Sequence, residues 1–188
     1  MEHILEAAAL IAMRVHKDQT RACGVEPYIN HCKRVAGMFA RDFPKLATDE
    51  YIAAAILHDT LEDCPYNLYT EIYVDILNRC GPFVAASVEL LTKPRDFKEY
   101  SNIRYLNMLR LSPPSIQTIK AVDRIDNLNT IPSTNWNVER RKHYIEDSIK
   151  IRDMLHGNML TKQAEILNVH IATATSSLRT DIYWTKHG

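Results

Sequence analysis

Ile116, Ile119, Val122 and Ile125 follow one another at intervals of three residues, and comparable spacings of apolar positions recur along the whole chain. Such spacing lines up one side of an α-helix, because residues three and four apart share a face. No stretch alternates apolar and polar residues convincingly enough to read as a strand. The pattern predicts helices over about residues 2–17, 28–43, 48–63, 68–79, 82–91, 100–111, 113–128, 138–155 and 161–178. Breakers separate them. Gly24 interrupts a polar loop over 18–26, and Pro27 suits the first turn of the second helix. Pro44 follows that helix, Pro65 stops the third and Gly81 ends the fourth. Thr48 is placed to cap the third helix. Ser112 is placed to cap the seventh, which begins at Pro113 and Pro114, runs past Gln117 and reaches Leu128. Residues 92–95 read as a basic turn and 130–137 as irregular, and the last residues, Trp184 among them, read as loosely held. The expected architecture is all-α, an orthogonal bundle of short, unequal helices forming a single domain over 1–188.

One stretch breaks the rule that polar residues face water. Residues 53–64 run Ala-Ala-Ala-Ile-Leu-His-Asp-Thr-Leu-Glu-Asp-Cys, an apolar run ending in two polar pairs. On a continuous helix His58 stacks over Glu62, and Asp59 over Asp63. Buried charges of this density must be paired or must hold a metal; the alternative is a helix end whose polar residues are solvated. Two further groups complete a ligand set: His31 in the second helix and Asp123 in the seventh, where Asn127 shares the face of Asp123. Two imidazoles and two carboxylates without a thiolate suit a borderline or hard ion such as Mn2+, Fe2+ or Mg2+ over a structural zinc. Against this stand a lone surface or core His31 and a plain surface pair of Asp123 with Arg124. The remaining histidines, His3, His16, His143, His156, His170 and His187, lack partners at ligand spacing and read as surface, and Cys32 reads as packing.

Composition narrows the classes. Acidic and basic residues balance at 23 each, which calls for neither nucleic acid nor an acidic membrane. No apolar run is long enough to span a bilayer, and nothing near the start reads as a signal peptide. Cys23, Cys32, Cys64 and Cys80 form no C-x-x-C pair, so a reducing, cytoplasmic setting is expected. No glycine loop of the Walker type is present, so phosphates would be held by side chains and a metal.

Taken in order, Arg21…Gly24…Pro27-Tyr28-Ile29-Asn30-His31, then Leu57-His58-Asp59-Thr60-Leu61-Glu62-Asp63, then Leu91-Thr92-Lys93, then Asp123-Arg124-Ile125-Asp126-Asn127-Leu128 resembles the HD-type phosphohydrolase domain of the RelA/SpoT family. The resemblance covers about residues 3–155 and is nearest to the stand-alone small alarmone hydrolases. It implies an HD-domain bundle in which His31, His58, Asp59 and Asp123 bind one Mn2+. Glu62 and Asp63 would orient and deprotonate the attacking water. Arg21 and Tyr144 would hold the purine, and Asn127 and Thr130 the ribose or a phosphate, with Lys93 and Arg124 as further substrate contacts. The implied reaction removes pyrophosphate from the ribose 3′ position of (p)ppGpp, leaving GDP or GTP. Ala22 stands where the family usually has lysine, and Asp126 where many relatives have histidine or tyrosine. The former lies where the base would be read, which leaves (p)ppApp or NADPH open as substrates. A non-catalytic, antitoxin-like partner is the alternative outside enzymes, and apolar surface on the final helix is a candidate for a homodimer contact.

Overall fold

The computed structural model describes the backbone of residues 3–94 and 99–187, and the side chains of the same residues except 99–102 and 183–187. Ten helices are assigned among them: α1 (Ile4–Val15), α2 (Ile29–Asp42), α3 (Asp49–Leu57), α4 (Thr60–Asp63), α5 (Tyr69–Cys80), α6 (Pro82–Leu91), α7 (Glu99–Leu111), α8 (Pro114–Thr130), α9 (Val138–Gly157) and α10 (Thr161–His187). Short 3-10 turns occupy Tyr66–Leu68 and Ile131–Ser133. The described residues contain no strand, only an isolated bridge between Thr20 and Pro27. No helix among them is long and apolar enough to cross a membrane. None of the four cysteines is in a disulfide, and Cys32 is buried.

Two apolar clusters build the interior. In the first, α1 packs on α3 and α5, and α2 and α6 pack on α3. Phe39, Leu57, Leu61, Ile76, Leu91 and Ile116 are among its large fully buried members. In the second, α9 and α10 pack on each other and on α8, around Ile151, Leu155 and Leu167. Helix α8 serves both, with Ile119 and Val122 in the first cluster and Ile125 and Leu128 in the second. It is accordingly buried nearly all round, which is why it can carry polar residues into the interior only where they find partners.

Several expectations are corrected. The expected third helix is two: α3 ends at Leu57 and α4 starts at Thr60. The His58 ring donates from Nδ1 to the Ala55 carbonyl at 2.9 Å, the carbonyl a continuous helix would give to the Asp59 N–H. Asp59 takes φ −99°, ψ −5°, a corner conformation. Ser112 does not cap α8; its hydroxyl turns back to the Leu109 carbonyl at 2.6 Å, and Pro113 is the N-cap. Gln117 instead donates to the Ser112 carbonyl at 2.8 Å. Pro27 lies just before α2 rather than in its first turn. The irregular segment after α8 contains a 3-10 turn, and α10 continues past residue 178 to His187. His16 is buried, not on the surface, because its ring stacks on Tyr28 at 4.8 Å and bonds Gln19. The side chains of Arg95, Trp184 and His187 lie outside the described residues. Thr48 does cap α3, accepting from the Tyr51 N–H.

Candidate active site

Three elements meet at one point. Helix α2 supplies His31, the α3–α4 corner supplies His58 and Asp59, and α8 supplies Asp123. One ligand atom from each lies within 4.8 Å of the others. The His31 and His58 Nε2 atoms are 3.1 Å apart. His31 Nε2 is 3.4 Å from Asp59 Oδ2 and 3.3 Å from Asp123 Oδ1. His58 Nε2 is 3.0 Å and 3.7 Å from the same two oxygens. The corner at Asp59 makes this possible, since neighbours on an unbroken helix point about 100° apart.

The residues fit a divalent cation. His58 Nδ1 faces a carbonyl and must carry its proton there. His31 Nδ1 faces Asp126 Oδ2 at 2.7 Å and carries its proton likewise. Neutral imidazoles therefore turn two Nε2 lone pairs inward, 3.1 Å apart and flanked by two carboxylates. Only a cation or extra protons relieve that arrangement. Bonds of roughly 2.1 Å to an octahedral ion place adjacent ligand atoms about 3 Å apart, close to the separations found.

The electrostatics agree. Burial alone would lower His31, but hydrogen bonds to Asp123, Asp126 and Asp59 push it up to about 9. Burial opposes the same rise at His58, where Asp59 and Asp123 win and lift it well above the usual value. Burial opposes ionisation of Asp59 and Asp123 too, yet both are held well below the carboxylate range, Asp59 by His58 and His31 and Asp123 by Lys120 and both imidazoles. Tyr28 donates its hydroxyl to Asp59 Oδ2 at 2.7 Å, and Lys120 Nζ sits 2.8 Å from Asp123 Oδ2.

One turn beyond the corner lies the acidic pair. Glu62 Oε2 accepts the Lys93 backbone N–H at 2.9 Å, and burial raises its pKa. Asp63 is pushed up to about 6, by burial first and then by the charges of Asp59 and Glu62. Both open onto a cleft of about 710 Å³. Arg21 crosses it, donating from Nη2 to Asn127 Oδ1 at 2.6 Å and Thr130 Oγ1 at 3.2 Å. Asn127 in turn donates to Asp123. The lining of the cleft also stacks cations on rings: Arg124 lies 4.3 Å over Tyr144, and Arg140 lies 4.3 Å over Trp136. Arg124 and Asp123 are both buried, which removes the plain surface pair. Burial and the nearby Arg124 lower the pKa of Lys93, which lines the same cleft.

No protein-family model matches the chain. Curated relatives do. The chain is 35% identical over 154 residues, 78% of its length, to a guanosine-3′,5′-bis(diphosphate) 3′-pyrophosphohydrolase of Aquifex aeolicus. It is 35% identical over 145 residues, 73% of its length, to the bifunctional (p)ppGpp synthase/hydrolase SpoT of Escherichia coli. It spans only about a fifth of the length of these relatives, 20% and 19% respectively. Among solved structures it matches a metazoan orthologue of SpoT, described as hydrolysing ppGpp, with a TM-score of 0.74. That match has 22% identity and covers 93% of this chain and 94% of the other. The chain is a homologue of the SpoT-type 3′-pyrophosphohydrolases. Its bundle has the HD-domain fold.

Every candidate site residue of this SpoT homologue sits in one place. Arg21, Lys93, Arg124, Asn127, Thr130 and Tyr144 line the cleft with Asp59, Glu62, Asp63 and Asp123, and His31 and His58 are buried beside Asp59 and Asp123. Sequence reasoning missed Lys120 and Asp126 as site residues, although each is three residues from Asp123 on one helix and so shares its face. It missed Tyr28 as a partner of Asp59. Trp136 and Arg140 carried no signal, since nothing local tells that the segment after α8 and the start of α9 line the cleft.

Proposed function

We propose that this SpoT homologue is a divalent-metal-dependent 3′-pyrophosphohydrolase of guanosine alarmones. Water attacks the ribose-proximal phosphorus of the 3′-diphosphate, and the bond from that phosphorus to O3′ breaks. The products are pyrophosphate and GDP or GTP, with one water proton ending on O3′. His31, His58, Asp59 and Asp123 hold one ion, with Mn2+ as the leading candidate. When bound, the ion supplies Lewis acidity towards a phosphoryl oxygen. Glu62 and Asp63 orient the water and take its proton; an acid of pKa about 6 is well suited to accept and release one near neutrality. Arg21 and Tyr144 hold the purine, Asn127 and Thr130 the ribose or a phosphate, and Lys93 and Arg124 balance phosphate charge.

The observation that carries this reading is the pair of inward Nε2 lone pairs beside two carboxylates, with an acidic pair one turn away at a cleft rimmed by cations. The test incubates purified chain and Mn2+ with ppGpp, ppApp and NADPH separately and identifies the released phosphates. The expected result is pyrophosphate and GDP from ppGpp. Ala22 lines the cleft near Arg21, which is why the adenine substrate belongs in the comparison. Cleavage of ppApp or NADPH alone moves the substrate. No turnover and no bound metal overturns the enzyme. Asp59→Ala is expected to lose both Mn2+ and turnover; metal content and activity equal to wild type would remove Asp59 from the ligand set.

A further inference from the structure

We infer that Asp126 is the positioning residue of the candidate metal centre, setting the tautomer and ring orientation of His31; the inference rests on the metal-site reading above. Asp126 is buried on α8, one turn after Asp123. Its Oδ2 faces His31 Nδ1 at 2.7 Å. Arg34 grips the same carboxylate from α2, with Nε 2.6 Å from Oδ1 and Nη2 3.0 Å from Oδ2. The far side of Arg34 is anchored on Glu26.

The chemistry follows from this order of contacts. An imidazole offers a metal its Nε2 only when the proton sits on Nδ1, and a carboxylate at Nδ1 holds it there while making the ring more basic. Arg34 keeps that carboxylate ionised and fixes the direction of its lone pairs. His58 has a backbone carbonyl in the same role, which no substitution removes. Among the described residues Asp126 is therefore the side chain through which the tautomer of a candidate ligand can be tested. Asparagine cannot replace it: with its oxygen on His31 the amide NH2 faces the Arg34 donors, and with its oxygen on Arg34 the NH2 donates to His31 Nδ1 and favours the tautomer whose Nε2 is protonated.

The experiment titrates Mn2+ into chelator-treated wild type, Asp126→Asn, Asp126→Glu and Arg34→Gln by calorimetry. The Co2+-loaded forms are then compared by visible absorption. Asp126→Asn is expected to weaken Mn2+ binding about 10–100-fold and to shift the Co2+ bands. Asp126→Glu should recover part of the loss, and Arg34→Gln should show a smaller loss in the same direction. A purely structural ion pair would lower the melting temperature and leave the Co2+ spectrum of the saturated protein unchanged. A folded Asp126→Asn with wild-type Mn2+ affinity and spectrum overturns the inference. Should Asp126→Asn not fold, the partly exposed Arg34 decides it, and unchanged binding in Arg34→Gln overturns it. Wild type that binds no Mn2+ overturns both this inference and the function. Weaker binding in the variants, with ppGpp left intact by wild type, upholds the inference and sinks the substrate alone.

Discussion

Glu62 and Asp63 share a corner but not an environment. Both are raised by burial and by the Asp59 charge, but Glu62 has the Lys93 N–H and the Lys120 charge to offset this, whereas Asp63 is raised further by Glu62. Glu62→Gln keeps an acceptor for that N–H but removes the proton acceptor. It is expected to retain Mn2+, read by metal analysis, while turnover falls about 100-fold or more. An unchanged rate would remove Glu62 from the chemistry. At this scale the sequence was most legible where residue types are chemically unusual for a helix interior: His58, Asp59, Glu62 and Asp63. It was least legible where a polar group acts through tertiary contact. His16 looked like surface because nothing local reveals the stack on Tyr28, and Asp126 read only as a departure from the family because its partners His31 and Arg34 lie far off in sequence.

Helix existence followed from apolar spacing together with proline and glycine, and α6 starts and ends where expected, at Pro82 and Leu91. The α3–α4 break was invisible because Ala, Ile and Leu favour helix through it and only a side-chain bond, His58 to Ala55, ends the ladder. The resemblance ran out near residue 155, yet α9 and α10 are part of the support for α8. Leu167 on α10 is fully buried in the second cluster. Leu167→Ala is expected to cost about 2–5 kcal/mol in urea unfolding. A change below about 1 kcal/mol would mean that α10 adds little to the bundle.

The whole chain carries a pH dependence set at its centre. His31 is raised from 6.5 to about 9 in the folded, metal-free state. A raised histidine stabilises the fold fully below pH 6.5, and that contribution is lost as pH climbs through about 9. The chelated protein should therefore melt several degrees lower at pH 9.5 than at pH 6, at about 2–4 °C per kcal/mol for a chain of this size. Saturating Mn2+ should reverse the trend, because an ion needs unprotonated imidazoles and its stabilisation grows as they deprotonate. Thermal melts across pH with and without Mn2+ check both signs; a chelated protein that gains stability between pH 6 and 9.5 would contradict the assignment.

Helix α8 takes part in both apolar clusters, and Asp123, Asp126 and Asn127 ride on it. It works as a keystone, so slackening either half displaces the same three side chains. Loss-of-activity screens in this chain will return substitutions scattered over both halves, many far from any nucleotide. Metal affinity measured beside turnover is what separates a loosened arch from a missing stone.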